Sequence, residues 1–246
     1  MKILTCALPV LACLALLLTA GTQAAEALPR VLVIGDSISM AYVPGTTKPL
    51  GYFTWAQEYL KGQATLTHND GNALSSEHTL ENVDSYLKDT PHPDLITWNN
   101  GLHDLSTFDL ASGRELGHIQ ATIPEYQKNL RAIGKKLLAS GARVIFFTTT
   151  DIPPKEAHRR AADLAAYNDA ARVVMRGLGI PVYDLGGFSQ KNLRGYHLNA
   201  DQQNNVHYGP EGSQRLAQFV AAAIRTELKS LPSAKWQDGK LLTAQK

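Results

Sequence analysis

The stretch that decides the fold reads Val31-Leu32-Val33-Ile34-Gly35-Asp36-Ser37-Ile38-Ser39. A short, wholly apolar run ends abruptly in Gly-Asp-Ser, which predicts a buried strand with a serine hydroxyl just beyond its carboxyl end. Ligands of open α/β sheets bind in the crevice at that end of the strands. Ser37 is therefore a candidate nucleophile, because a serine hydroxyl becomes reactive where a base and an oxyanion site meet it.

Four further strand-like runs follow the first, and each is followed by polar or glycine residues. They cover residues 64–67, 94–98, 143–147 and 180–183. Helical patterns lie between and after them, at residues 55–61, 76–88, 124–140, 160–178 and 210–228. Strands that alternate with helices predict a parallel sheet with right-handed crossovers, and hence a single α/β domain.

The amino terminus has the pattern of a secretory signal peptide. Lys2 precedes an apolar run over residues 3–18, and the small-x-small triplet Thr22-Gln23-Ala24 follows. We interpret residues 1–24 as the signal peptide rather than an uncleaved anchor, because the run is shorter than the roughly 20 apolar residues that span a bilayer. The folded domain is then expected over residues 25–232, with a loose tail over residues 233–246.

Both cysteines, Cys6 and Cys13, lie within the predicted signal peptide. The mature chain would therefore lack disulfides, thiolate nucleophiles and Cys-ligated metals, and export without disulfides favours a bacterial periplasm or exterior. The formal net charge of +2 is too small to indicate nucleic acid or an anionic membrane as partner. The histidines show no metal-ligand spacing, so we expect no metal and no cofactor.

A candidate base for Ser37 lies near the other end of the chain. His207 stands in Asn204-Asn205-Val206-His207-Tyr208-Gly209-Pro210, directly before the last helical pattern. A serine near the start and a histidine near the end predict one site that the whole fold brings together.

The pair Arg159-Arg160 begins another helical pattern, and we interpret it as a solvated face.

Four ordered blocks resemble the SGNH (GDSL-type) hydrolase family. They are residues 35–39, Gly71 in Asn69-Asp70-Gly71-Asn72, Gly101-Leu102-His103-Asp104, and residues 204–207. The resemblance implies a flavodoxin-like three-layer α/β/α sandwich with a central five-stranded parallel sheet. It also implies that Ser37 is the nucleophile, that His207 is the base, and that the N–H groups of Ser37 and Gly71 face the oxyanion.

Two positions depart from the family pattern. His103 stands where the family has its oxyanion asparagine, and an imidazole still offers an N–H donor; Asn100 or Asn99 could supply an amide instead. Asn204 stands where the family has the aspartate that orients the base, and an amide can accept a bond but carries no charge. Asp201 or Asp184 could take that place.

The sequence thus predicts an exported serine ester hydrolase that removes short acyl groups, with acetyl favoured, from carbohydrate or similar esters. One alternative is a broad-specificity periplasmic lysophospholipase or thioesterase that uses the same residues. The other is a non-catalytic glycan-binding module on the same fold, since both departures lie at functional positions. We expect a small-molecule or glycan ester as partner and no stable membrane insertion after signal cleavage, and no pattern indicates an oligomeric state.

Overall fold

The computed structural model describes residues 27–40, 51–198 and 205–231, and the backbone of residues 235–237 and 240–242. The predicted signal peptide over residues 1–24 lies outside these residues and stays a prediction, as does the periplasmic or secreted location. In the segment expected as a loose tail, Lys235–Gln237 and Lys240–Leu242 pair as antiparallel strands.

Five parallel strands form the central sheet. Their bounds are β1 (Arg30–Ile34), β2 (Thr65–His68), β3 (Leu95–Trp98), β6 (Arg143–Phe147) and β7 (Val182–Tyr183). Two short antiparallel pairs complete the strands: β4 (Phe108–Asp109) with β5 (Arg114–Glu115), and β8 (Lys235–Gln237) with β9 (Lys240–Leu242). The order across the central sheet is β2-β1-β3-β6-β7. This is the order of flavodoxin-like folds, so the predicted fold class is confirmed.

Helices cover both faces of the sheet. Their bounds are α1 (Phe53–Tyr59), α2 (Ser76–Asp89), α3 (Ile123–Ala139), α4 (Leu164–Leu178), α5 (Leu185–Asn192) and α6 (Pro210–Ser230). Helices α2, α3 and α4 pack side by side in one layer, and α6 packs against α1 and α5 in the other. Helix α5 was not predicted, because the adjacent Gly186 and Gly187 lower its helix propensity. The Asp184 side chain begins it by accepting a hydrogen bond from Gly187 N–H.

The middle of the sheet is buried on both faces. All four residues of β3 are buried, and so are the last four of β1, which explains why these strands read as mainly apolar runs. Trp98 at the end of β3 packs edge-on against Phe146, with ring centroids 5.0 Å apart. Fully burying a large apolar side chain contributes about 1.5–3 kcal/mol to the free energy of folding. The strand ends that carry the loops are therefore well packed. No helix among the described residues is long and apolar enough to cross a membrane.

The long loop after β3 holds the third sequence block. It contains the β4–β5 pair. Asp104 in this loop is fully buried and accepts hydrogen bonds from the backbone N–H of Ser76 (3.0 Å) and from its hydroxyl. Because Ser76 is the first residue of α2, Asp104 caps that helix and fixes the neighbouring His103 relative to it.

Candidate active site

The turn after β1 presents Ser37 at the carboxyl edge of the sheet. The Asp36 carboxylate accepts a hydrogen bond from Ile38 N–H (2.9 Å), and Asp36 C=O accepts one from Ser39 N–H (2.9 Å). Asp36 and Ser39 are buried, whereas Ser37 is partly exposed. The turn therefore directs the hydroxyl of Ser37 outward, and hydrogen bonds of the buried Asp36 and Ser39 stabilise it from inside.

The structure brings Ser37 and His207 together across 170 residues of chain. His207 Nε2 lies 2.8 Å from Ser37 Oγ. On the other side of the ring, Nδ1 lies 2.8 Å from Asn205 Oδ1, which also accepts the backbone N–H of His207 at 3.0 Å. Because an amide oxygen only accepts, Nδ1 carries the ring hydrogen, and the lone pair of Nε2 faces the Ser37 hydroxyl. This arrangement can remove the hydroxyl proton.

The segment that carries His207 is held on its carboxyl-terminal side. Leu198 N–H donates to His207 C=O, and Gly209 N–H donates to Tyr196 C=O, both at 2.8 Å. His197 and Tyr208 face each other as an isolated antiparallel bridge, and their rings stack with centroids 4.5 Å apart. We refer to these contacts as the His197–Tyr208 clasp. The clasp fixes the backbone of the candidate base.

The residue that orients His207 in the structure is Asn205, which sequence reasoning missed. Asn204 and Asp201 lie outside the described residues. Asp184 is engaged elsewhere: its carboxylate accepts from Thr148 Oγ1 (2.9 Å) and from Gly187 N–H (3.1 Å), so it does not serve His207. The available signal was local, since Asn side chains commonly accept the backbone N–H two residues on, as Asn205 does here.

His207 is neutral over a wide pH range. Burial lowers its pKa to about 4, and repulsion from the nearby Arg159 and His197 acts in the same direction. The amide of Asn205 supplies no negative charge to oppose them. The imidazole is therefore unprotonated at neutral pH but is a weak base, and its protonated form lacks the carboxylate that usually stabilises it.

His103 is buried at the edge of the same site, with 4% of its surface exposed. Burial lowers its pKa to about 3, and the nearby Arg159 and His207 lower it further, so the ring is neutral. Its Nδ1 has no hydrogen-bond partner among the residues that the structure describes. A buried N–H without an acceptor costs more than a buried lone pair without a donor. This assigns the ring hydrogen to Nε2, which makes that atom a donor.

Asn100 and Asn99, the alternatives to His103 as oxyanion donor, both donate hydrogen bonds to other residues. Asn100 Nδ2 donates to Leu74 C=O (3.1 Å) and to Thr79 Oγ1 (2.9 Å), which occupies both of its hydrogens. Asn99 Nδ2 donates to Phe147 C=O (2.8 Å) at the end of β6. These bonds join the end of the third strand to its neighbours, and they occupy both amide hydrogens of Asn100 and one of the two on Asn99.

Gly71 follows β2 on the same edge of the sheet as Ser37. Its φ is +66°, and an added Cβ would meet no atom within 4 Å. The left-handed backbone favours glycine at this position. Asn69 connects this loop to the nucleophile turn, because its Oδ1 accepts from Gly35 N–H (2.9 Å) and its Nδ2 donates to Gly71 C=O (3.1 Å).

Arg159 was expected on a solvated face, and this expectation is wrong. Its side chain is 11% exposed, whereas that of the adjacent Arg160 is 81% exposed. Asp36, next to the nucleophile, is buried as well. Burial raises the pKa of Asp36 to about 6, while the Ile38 N–H and the charge of Arg159 oppose that rise. A buried cation and a buried carboxylate thus lie beside the Ser37–His207 pair.

Among the described residues, no group of three or more histidine, cysteine or acidic side chains could hold a metal ion. The chemistry that these residues can perform is proton transfer between Ser37 and His207, with N–H donors nearby.

Comparison with known proteins places the chain in a family. A family model described as GDSL-like lipase/acylhydrolase matches residues 33–215, which include all four sequence blocks. A search of curated protein sequences gives no match.

Solved structures share the fold. A lipase/acylhydrolase from Enterococcus faecalis superposes with a TM-score of 0.65 at 17% identity, over 81% of this chain and 97% of that one. The acetyl xylan esterase AlAXEase gives a TM-score of 0.62 at 20% identity, over 79% and 99% of the two chains. A mutant of Axe2, an acetyl-xylooligosaccharide esterase from Geobacillus Stearmophilus, gives 0.62 at 17% identity, over 80% and 94%. The chain belongs to the GDSL-like lipase/acylhydrolase family and is a serine ester hydrolase.

Proposed function

We propose that this protein is an exported esterase that removes short acyl groups, with acetyl favoured, from carbohydrate esters through Ser37 and His207. The observation that carries the proposal is the hydrogen-bonded series from Ser37 Oγ to His207 Nε2 and from His207 Nδ1 to Asn205 Oδ1, each step 2.8 Å long. A nucleophile, a base and a group that fixes the tautomer of the base are the parts that acyl transfer to serine requires.

In the first half of the reaction, Ser37 Oγ attacks the acyl carbonyl carbon while its proton passes to His207 Nε2. The tetrahedral intermediate collapses, the ester C–O bond breaks, and the imidazolium gives its proton to the leaving alcohol. In the second half, His207 takes a proton from water, whose oxygen attacks the acyl-enzyme. The acid then leaves and Ser37 regains its proton.

The negative charge on the tetrahedral oxygen requires N–H donors. We assign them to the backbone N–H of Ser37 and Gly71 and to His103 Nε2–H. In support, no described residue accepts a hydrogen bond from Ser37 N–H, and the low pKa of His103 keeps its ring neutral with one hydrogen. Each such donor lowers the barrier by about 3–4 kcal/mol in comparable enzymes.

The substrate assignment rests on three supports. The signal peptide pattern indicates export, where polysaccharides are encountered. The exposed or partly exposed residues beside the site are polar, with Asp70 and Asn72 after β2 and Asn205 before His207. Two of the proteins with similar folds are named as acetyl-xylan or acetyl-xylooligosaccharide esterases. Together these favour a small acyl group on a hydrophilic alcohol.

The test is hydrolysis of 4-nitrophenyl acetate, butyrate and octanoate by the mature protein and by Ser37→Ala. We expect acetate to be the best substrate and the variant to lose at least about 10³-fold in kcat. A preference for octanoate would instead support the lysophospholipase or thioesterase alternative, because an apolar cleft gains about 0.8 kcal/mol per buried methylene. Binding of an acetylated glycan by folded protein without release of acetate would support the glycan-binding module.

A covalent probe tests the nucleophile separately from turnover. An alkyl fluorophosphonate should add to Ser37 and not to Ser39, although Ser39 Oγ also lies 2.7 Å from a histidine, at His68 Nε2. Ser39 is only 2% exposed, so the reagent cannot reach it. Peptide mapping that finds the adduct on Ser39, or on neither serine, would contradict the assignment.

A further inference from the structure

The partners of Arg159 indicate what this buried cation does. Its Nε donates to Leu102 C=O at 2.6 Å, and its Nη1 lies 3.1 Å from Glu156 Oε1. The second oxygen of Glu156 accepts the backbone N–H of His158 at 3.0 Å. Because Leu102 directly precedes His103, the guanidinium holds the peptide that carries the candidate oxyanion donor.

Other contacts join the same two loops. Thr107 N–H donates to His158 C=O at 2.8 Å, and the rings of Phe108 and His158 lie 5.1 Å apart. Asp104 fixes the loop from the opposite side through Ser76. The loop after β6 therefore contacts the loop after β3 on both sides of His103. Arg159 donates to Leu102 C=O before it, and His158 C=O accepts from Thr107 N–H after it.

The charge of Arg159 also acts on both imidazoles of the site. It disfavours the protonated form of His103 and of His207, and the carboxylates of Glu156 and Asp36 help to keep the guanidinium itself charged. The other titratable groups that act on the two rings are His78, Asp109 and, on His207, His197. A neutral His103 retains one ring hydrogen, as a donor to an oxyanion requires.

We propose that Arg159 is a positioning residue for His103, which fixes the direction in which the imidazole N–H meets the developing negative charge. The proposal rests on the proposed function, since it concerns the same oxyanion site. Arginine suits this task because its planar fork of donors reaches Leu102 and Glu156 at once. Lysine has the same charge but no such fork.

The test compares Arg159→Lys with Arg160→Lys, the adjacent arginine, which also pairs with a carboxylate three residues away but is exposed. We expect Arg159→Lys to lower kcat by about tenfold or more with little change in KM, because a donor displaced from the transition state loses most of its effect. Arg160→Lys should leave both constants unchanged.

The double variant shows whether Arg159 acts through His103. In a His103→Ala background, Arg159→Lys should cause no further loss of kcat, because the side chain that it positions is gone. Equal losses in both backgrounds would overturn the proposal. Thermal unfolding verifies that each variant folds. If Arg159→Lys does not fold, Arg159→Gln serves as a second variant.

A spectroscopic readout keeps this inference separate from the activity. Long-range ¹H–¹⁵N NMR of the imidazole rings should show His103 as a single Nε2–H tautomer in the unmodified protein and a shifted or mixed signal in Arg159→Lys. Unchanged ring ¹⁵N shifts would overturn the role of Arg159 even if the protein hydrolyses esters. If no Ser37-dependent hydrolysis is found but the ring signals of Arg159→Lys shift, the proposed function is overturned and the positioning contact remains supported.

Discussion

Replacing Asn205 by aspartate would place a carboxylate against His207 with almost no change in shape. Asn205 Oδ1 already lies 2.8 Å from Nδ1 and accepts the backbone N–H at 3.0 Å, and a carboxylate oxygen can keep both bonds. The variant therefore adds a negative charge at a defined distance from the imidazole. Its effect on the pH dependence of the reaction follows from the geometry.

The magnitude can be estimated from that distance. Unit charges about 4 Å apart, centre to centre, attract by about 4 kcal/mol at an effective dielectric constant of about 20. One pKa unit corresponds to about 1.36 kcal/mol, so the ceiling is about 3 units. Desolvation of the new carboxylate reduces this, and we expect the pKa of His207 to rise by about 1–3 units.

The direction follows from the role of the base. His207 must be neutral to accept the Ser37 proton, and its pKa of about 4 implies that activity is lost only as the pH falls through about 4. In Asn205→Asp the acidic limb of kcat/KM should move up, to between about pH 5 and pH 7. Above that limb kcat should rise by about tenfold to a hundredfold, because the carboxylate stabilises the imidazolium that forms in the transition state.

The assay is the pH–rate profile for 4-nitrophenyl acetate from about pH 3.5 to about pH 9, with Asn204→Asp as the matched control. The control adds the same charge at the position where the family pattern has aspartate. A shift in Asn204→Asp with none in Asn205→Asp would refute the structural reasoning and restore the sequence-based assignment. No shift in either variant would refute the role of His207 as the base.

Two further predictions concern the third block. His103→Ala should lower kcat by about 10²–10³-fold, whereas His103→Asn should retain more activity by offering an amide donor; equal losses in steady-state assays would contradict a purely donating role. Gly101→Ala should destabilise the fold by roughly 2–4 kcal/mol in urea unfolding, because φ is +139° and the new Cβ would lie 2.4 Å from Thr149 Oγ1 and 3.0 Å from Tyr126 Oη. Gly113→Ala, at φ +69° in open space, is the control and should lose only about 1 kcal/mol; equal losses would show that crowding at Gly101 is unimportant.

The middle of the sheet was predictable because its first and third strands satisfy one simple condition. Residues 31–34 and 95–98 are buried on both faces, so they read as apolar runs with Thr97 as the single interruption. The polar residues after each run mark the edge where the strands end together. That edge places Ser37 and, through the start of α6, His207 on the same side of the molecule.

The finer parts of the site depend on contacts that no local pattern reveals. Arg159 resembles any arginine at the start of a helix, and its side chain donates to Leu102 C=O, which is 57 residues away. Asn205 reaches His207 through a bond across two residues, whereas the family spacing points to position 204. Asn99 and Asn100 looked available in the sequence because their acceptors, such as Phe147 C=O, belong to other elements.

The His197–Tyr208 clasp has a consequence for how this protein tolerates change. Backbone hydrogen bonds between residues 196–198 and 207–209 hold the main chain of the base, so the position of His207 does not depend on the Asn205 side chain alone. Substitutions at Asn205 should therefore change the charge beside the imidazole without moving its backbone, whereas changes at Tyr208 should displace the base itself. Engineering of the working pH of this protein could begin at position 205, with residues 196–198 and 207–209 kept constant.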